Sequence, residues 1–286
     1  MIGKLRTGLA VVFAATSTLV LALAQAVVLK TGIGNPHRLP RLWHRCVLKA
    51  LGIRVHVVGS PAARRPLLIA ANHVSWTDIG VLGSIADVSF IAKSEMEGWP
   101  LMGWLSTLQG TVFVERERRH RSGDQAGEIA GRLNDGDVMV LFAEGTTGDG
   151  NALLPFKSTL FGAATMALRQ SAGGREEAGE EGTGQTGARK GGHAEIAIQP
   201  VSIAYTARQG LPLGRAGRMA LCWIGDQDLL PHISGLLRAG AVDAEVRFGE
   251  PVIFDARSNR KETARLVEAR VRDMLEASLR GNGRQG

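Results

Sequence analysis

The chain has 286 residues, 44% of them hydrophobic and 21% charged, a balance that supports one sizeable α/β domain with attachments and excludes a wholly disordered chain. Its formal net charge of +7 points to an anionic partner, whether nucleic acid, an anionic membrane surface or a phosphorylated substrate. Nucleic acid is the weakest of the three, because Tyr205 is the single tyrosine and neither zinc-finger spacing nor an aromatic-rich basic sheet motif occurs; Cys46 and Cys222 are too few for a disulfide framework and read as buried, reduced thiols.

Residues 7–29 carry no charge and are rich in Ala, Val and Leu, long enough to span a bilayer. A cleaved signal peptide competes, since Lys4 and Arg6 precede the run and Ala22-Leu23-Ala24 and Ala24-Gln25-Ala26 resemble cleavage sites. The length of the run, with Lys30, Arg38, Arg41, Arg45 and Lys49 crowding its far side, favours an uncleaved anchor whose far side is cytoplasmic. A hydrophobic helix lying in one leaflet is a variant of the same reading. Residues 39–53 then alternate apolar side chains with cations at helical spacing, which suits either a helix lying on anionic headgroups or an ordinary packed helix with a solvated basic face.

Strands are predicted over 53–58 and 67–71, separated by the breaker Gly59-Ser60-Pro61. The second strand runs into Ala71-Asn72-His73-Val74-Ser75-Trp76-Thr77-Asp78, and Ile79, Val81, Leu82 and Ile85 follow at helical spacing. His73 therefore falls at a strand-to-helix turn. Ser75 or Thr77 is placed to cap the helix, and Asp78 sits in its first turn, where a carboxylate meets the positive end of the helix dipole. From there Asp78 can reach one ring nitrogen of His73, fixing the tautomer and leaving the other nitrogen as a base. On these residues alone, a base with its orienting carboxylate and a pair that merely caps a helix stay open alternatives.

A further strand, 88–92, ends at Lys93, and the apolar segment 99–105 reads as core or as a wall for a lipid tail. The strand over 110–116 runs into Arg116, and a guanidinium at the end of a buried strand suits a bidentate phosphate; the basic run through Arg121 reads as solvated surface. After a helix over 124–133, residues 138–142 form a continuous apolar strand of the kind buried in parallel sheets. Ala143-Glu144-Gly145-Thr146-Thr147-Gly148-Asp149-Gly150 follows, either a plain loop or one that offers N–H groups to an anion and a carboxylate to a hydroxyl or cation. Residues 155–169 read as helix, and 171–193 hold too little apolar surface to order themselves, so they are expected to form a disordered insertion. Strands are predicted over 196–203, with Pro200 implying an irregular or edge position, over 219–224, and over 242–248, whose alternation with charged residues suggests a half-exposed edge. An amphipathic helix over 260–279 closes the chain.

The predicted architecture is α/β: a single domain with a mixed, mainly central β-sheet flanked by helices, preceded by an N-terminal membrane helix. Residues 1–52 form the anchor and interfacial helix, 53–256 the main domain, and 257–286 a C-terminal helix and tail. No GxGxxG follows a first strand, and no P-loop, HExxH or G-x-S-x-G pattern occurs, so dinucleotide, nucleotide, zincin and nucleophile-elbow readings lack support, and no metal is implied.

Four of these segments, taken in order, resemble the 1-acyl-glycerol-3-phosphate acyltransferase family, the glycerolipid acyltransferases with an N-H-x-x-x-x-D signature. Asn72, His73 and Asp78 match the first motif; Gly110, Phe113 and Arg116 match G-x-x-F-x-x-R; Phe142, Glu144, Gly145 and Thr146 match F-P-E-G-T-R; and Pro200 with its apolar flanks matches the fourth. The resemblance spans 53–251 and makes 53–256 an acyltransferase domain. It implies transfer of a fatty acyl group from acyl-ACP or acyl-CoA, as co-substrate and with no other cofactor, to the free hydroxyl of a lysolipid. The site would be the cytoplasmic face of the inner (cytoplasmic) membrane. The implied partners are membrane lipids and the acyl carrier protein or coenzyme A thioester, not nucleic acid. On this resemblance His73 is the catalytic base and Asp78 its orienting carboxylate, with backbone N–H groups at the following helix start as candidates to hold the oxyanion. Asn72, Lys93, Gly110, Phe113, Arg116, Glu144, Gly145, Thr146 and Thr147 would bind substrate, Arg116 being the first choice for a phosphate and Lys93 the second.

Two departures bear on the acceptor. Ala143 stands where the third motif has proline, and Thr147 where it has arginine, which removes a guanidinium from the expected phosphate site. The E-G-T-T-x-D-G version, with Trp76 and Trp99-Pro100, is similar to bacterial lyso-ornithine-lipid acyltransferases, so phosphate and aminolipid acceptors stand as rivals. From a different class, the alternative is a non-catalytic membrane-surface lipid-binding protein that uses only the anchor and the basic face.

Overall fold

The computed structural model describes residues 2–114, 119–170, 195–225 and 227–281; Arg116 and the predicted insertion 171–193 lie outside them. Two helices lead the chain, α1 (Ile2–Thr31) and α2 (Arg38–Leu51). The domain then alternates β1 (Ile53–Val58), β2 (Leu67–Ala71), α3 (Thr77–Ile85), β3 (Ser89–Lys93), α4 (Met102–Leu108), β4 (Val112–Val114), α5 (Arg119–Asn134) and β5 (Val138–Phe142). Helix α6 (162–170) precedes the long β6 (Glu195–Arg208). The chain ends through β7 (Leu211–Pro212), α7 (Arg215–Met219), α8 (Leu229–Ala239), β8 (Val242–Phe248), β9 (Val252–Asp255) and α9 (Arg260–Leu279).

Among the described residues nine strands form one mixed sheet in the order β1-β8-β6-β2-β5-β3-β4, with β7 and β9 also on β6. From β6 to β4 neighbouring strands run parallel, whereas β8 meets β6 antiparallel and carries β1 parallel to itself. The apolar runs on β2 and β5 are buried on both faces, as continuous runs in a parallel sheet demand. Their side chains alternate between two cores: Leu67, Ile69, Ala71, Val138, Val140 and Phe142 pack toward α2 and α3, while Leu68, Ala70, Met139 and Leu141 join Val267, Val271 and Leu275 of α9. The closing helix, set apart as a C-terminal element by its charge, thus contributes to the domain core.

Several sequence expectations are corrected. Residues 219–224 are not a strand but the end of α7 and a turn, and 155–169 begin as an extended loop that becomes helical at Ser158. Strand β8 is not an edge: it lies between β1 and β6, and its carboxylates are buried because each has partners. Asp243 meets Arg54 and His56, and Glu245 meets Arg247 and Ser278. Pro200 is central in β6, at the handover where β9 pairs with 195–198 and β8 with 201–208. A missing N–H costs nothing at such a switch of partners.

Helix α1 lies along the domain. Its Gln25 donates to the carbonyls of Pro36 and Leu108 at 2.8 and 2.9 Å, Thr18 accepts from the Trp43 indole, and Arg6 donates to the Leu237 carbonyl. Its other face, including Leu5, Leu9, Val12, Leu19, Leu23 and Val27, is exposed, and residues Leu5–Thr31 are long and apolar enough to cross a membrane by length and composition. Helix α2 packs on α3 through a close contact. A Cβ on Gly83 would stand 2.3 Å from the ring of buried His44, whose Nε2–H donates to Gln109 Oε1 at 2.9 Å and whose burial lowers its pKa to about 4. Gly83→Ala is therefore expected to lower stability by about 1–3 kcal/mol, read as a depressed thermal midpoint in detergent.

Candidate active site

Strands β2 and β5 end side by side, with Ala71 in register with Phe142. At the next residue the backbone ladder is replaced by a side chain: Asn72 Nδ2 donates to the Ile203 carbonyl at 2.9 Å, and Ile203 N–H donates to Asn72 Oδ1 at 2.7 Å. Asn72 is 1% exposed. The structure thus corrects its expected place among substrate contacts, since its amide is spent on holding the turn to β6.

His73 is held on three sides. Its N–H donates to Glu144 Oε1 at 2.9 Å, its carbonyl accepts from Gly148 N–H at 2.8 Å, and its ring stacks on Phe142 with centroids 3.9 Å apart. Nδ1 lies 2.8 Å from Asp78 Oδ2, and Nε2 has no hydrogen-bond partner among the described residues, on a side chain 17% exposed. Asp78 is fully buried and also accepts from Val74 N–H (2.7 Å), Ser75 N–H (2.9 Å) and the Tyr205 hydroxyl (2.9 Å). Tyr205, whose hydroxyl also meets Thr77, is kept protonated because burial, and then the Asp78 charge, push its pKa well above 10. With three other donors converging on it, Asp78 is an acceptor toward His73 as well, so Nδ1 carries the proton and Nε2 presents its lone pair.

The helix start differs from expectation. Ser75 Oγ takes the Thr77 N–H only at 3.5 Å and Trp76 makes no capping bond, so Asp78 itself turns back to satisfy the N–H groups there. The N–H groups of Val74 and Ser75, expected to hold an oxyanion, are committed to that carboxylate, and of this turn only the Trp76 N–H is left without a partner among the described residues.

Glu144 is 2% exposed and bridges the two loops, accepting from His73 N–H and, at 3.2 Å, from Leu154 N–H. Burial, opposed by these two bonds, raises its pKa from 4.5 to about 8. The protonated form is thus favoured by folding, and its stabilisation is complete below about 4.5 and lost as pH rises through about 8. Glu144→Gln keeps an oxygen for the His73 N–H but loses the Leu154 bond. Its thermal midpoint is expected to start lower than the parent's and to fall less between pH 7 and 9.

Lys93, Phe113, Gly145, Thr146 and Thr147 gather at one sheet edge, because Lys93 and the residues after Phe142 follow the carboxyl ends of the parallel strands, as Phe113 in β4 does nearly so. Lys93 is exposed, Thr146 is exposed and Thr147 half-buried. Gly145 (φ 71°) turns the loop, its N–H donating to the Phe142 carbonyl. Gly110 serves the framework: it has φ 75°, its carbonyl accepts from Arg132, and that guanidinium also holds Ser89 and Asp137.

Sequence reasoning missed Tyr205 and the cover over the turn. Trp223 N–H donates to the Val74 carbonyl, and Trp76 Nε1 donates to His232 Nδ1 at 3.0 Å. Trp99 packs edge-on against Trp223 at 6.0 Å. That Tyr205 is the single tyrosine was a signal, but its partner lies 127 positions away.

A histidine with one ring nitrogen on a buried carboxylate and the other free, at the carboxyl edge of an α/β sheet and beside a fully buried Ser75, is an arrangement suited to activating a bound nucleophile. Residues 53–204 match the family model described as Acyltransferase. The chain is 47% identical over 281 residues, covering 98% of both sequences, to the lyso-ornithine lipid O-acyltransferase of Brucella abortus (strain 2308). It is 44% identical over 284 residues, covering 99% of this chain and 90% of the relative, to that of Rhizobium meliloti (strain 1021). It is 41% identical over 125 residues, 43% of this chain and 49% of the relative, to the 1-acyl-sn-glycerol-3-phosphate acyltransferase of Neisseria meningitidis serogroup B. The crystal structure of the 1-acyl-sn-glycerophosphate acyltransferase PlsC from Thermotoga maritima shares the fold, with a TM-score of 0.57 at 20% identity over 99% of both chains. The chain belongs to the acyltransferase family, and the non-catalytic alternative is set aside.

Proposed function

We propose that this acyltransferase transfers a fatty acyl group from an acyl carrier protein or coenzyme A thioester to the free hydroxyl of lyso-ornithine lipid at the cytoplasmic face of the inner membrane. The observation that carries the acceptor is full-length identity of 44–47% to relatives of that name, and the Thr147 side chain in place of a guanidinium agrees with it.

The acceptor hydroxyl donates to His73 Nε2. As its oxygen attacks the thioester carbonyl, the imidazole takes the proton, and the buried Asp78 charge stabilises the imidazolium. The tetrahedral oxyanion collapses by breaking the carbon–sulfur bond, and the imidazolium returns the proton to the departing thiolate. No acyl-enzyme is needed, because the thiolate leaves readily and the acceptor is itself the nucleophile. The uncommitted Trp76 N–H is the candidate oxyanion donor. Because α1 is hydrogen-bonded to the domain at Arg6, Thr18 and Gln25, its exposed apolar face is best placed within one leaflet, with Arg38, Arg41, Arg45 and Lys49 of α2 at the headgroups.

The test is a competition assay with the purified full chain, offering lyso-ornithine lipid and 1-acyl-sn-glycerol-3-phosphate together, with labelled acyl-ACP and acyl-CoA in parallel. Lyso-ornithine lipid is expected to take most of the label from at least one donor. A decisive preference for the phosphate acceptor would overturn the acceptor assignment.

A further inference from the structure

Beside the His73 turn, two opposite charges are held apart by one asparagine. Asn151 Oδ1 accepts from Arg218 Nε at 2.9 Å, while Asp149 Oδ1 accepts the N–H groups of Asn151 at 2.9 Å and Ala152 at 3.3 Å. Arg218 Nη1 donates to the Leu213 carbonyl at 2.6 Å, and its Nη2 has no partner among the described residues. Neither Asp149 nor Arg218 has an ion-pair partner within 4.0 Å among the described residues, and Asn151 bonds to both.

The pair lies beside the turn that carries His73. Gly148, next to Asp149, donates to the His73 carbonyl. At Gly150 (φ 71°) a Cβ would stand 2.9 Å from Cys222 Sγ, 3.8 Å from Arg218 Cβ and 3.9 Å from Val74 Cγ1, so the loop runs in contact with the residue after His73. The Cys222 thiol reports the same crowding: burial first, then the charges of Asp78 and Asp149, opposed by Arg218, push its pKa to about 12.

An ornithine acylated on its α-amino group keeps one carboxylate and one side-chain ammonium. We propose that Asp149 and Arg218 form a zwitterion-binding pair that sets the acceptor class, Asp149 receiving the ammonium and Arg218 Nη2 the carboxylate of the headgroup. This inference rests on the aminolipid reading of the acceptor. It also explains what replaces the missing guanidinium at Thr147: a carboxylate two residues on disfavours a phosphomonoester by like-charge repulsion while favouring an ammonium.

The experiment compares kcat/KM of the full-length enzyme on three acceptors: lyso-ornithine lipid, the same lipid with its side-chain amine acetylated, and the same lipid with its carboxylate methylated. The parent is expected to lose about tenfold or more on each blocked acceptor, as for a removed charge-assisted hydrogen bond. Asp149→Asn keeps an oxygen for the Asn151 and Ala152 N–H groups. It is expected to lose that factor on the unblocked lipid and to stop discriminating against the acetylated form, while still discriminating against the ester. Arg218→Gln is expected to show the reverse. If Asp149→Asn keeps the parent's discrimination, or loses activity equally on all three acceptors, the pair is overturned and the aminolipid acceptor stands. If the parent turns over none of the three but acylates 1-acyl-sn-glycerol-3-phosphate, the acceptor assignment fails and the pair with it.

Discussion

His73→Ala is expected to lower kcat by about 10²–10⁴-fold, with a thermal midpoint close to the parent's. The two expectations separate chemistry from folding. Removing the ring deletes the free nitrogen proposed to take the acceptor's proton, but the backbone bonds that hold the turn, His73 N–H to Glu144 and Gly148 N–H to the His73 carbonyl, do not involve the side chain. The loss on the structural side is a partly exposed ring stacked on Phe142. Incorporation of labelled acyl groups into lysolipid by the purified variant checks it, and turnover equal to the parent's would remove His73 from the mechanism.

Asp78→Asn is expected to cost about 10³–10⁴-fold in kcat, for a different reason. An asparagine can orient its oxygen toward Val74 N–H, Ser75 N–H and His73 Nδ1, and its amide toward the Tyr205 hydroxyl, which then donates to Thr77. The geometry survives, but the charge that stabilises the imidazolium is gone. Asp78→Ala should be as inactive and also markedly less stable, because it leaves the buried Val74 and Ser75 N–H groups unpaired, at about 1–3 kcal/mol each. Comparing the two variants by turnover and thermal midpoint thus isolates the carboxylate's electrostatic role from its structural one. An active Asp78→Asn enzyme would mean that the imidazolium needs no counter-charge.

Much of the site was legible because it is local. The His73–Asp78 pair spans five residues, and a buried strand followed by helical periodicity is enough to put both side chains at one turn. The edge on which Glu144 and Lys93 gather was legible too, since parallel strands place their carboxyl ends together. Asn72 was misread because its partner, Ile203, lies 131 positions away. Nothing around Asn72 in sequence distinguishes an amide that binds substrate from one that replaces a backbone pair. The charges on β8 misled in the same way. Alternating carboxylates look solvated until Arg54, His56 and Arg247 arrive to pair them.

By itself the sequence determined the α/β class, the apolar N-terminal helix, the ordered motifs that mark the acyltransferase family, and the pairing of His73 with Asp78 at one turn. These follow from periodicity and short spacing, which local sterics and burial enforce wherever the segment lies. The tertiary structure alone decided that Tyr205 completes the shell around Asp78, that Glu144 is a buried strut near pKa 8, that α1 lies against the domain, and that Asp149 and Arg218 stand apart across Asn151. Each of these depends on which distant strand or loop fills a given hydrogen-bonding position. That choice is made by packing the whole sheet and its covering helices, so no window of sequence contains it.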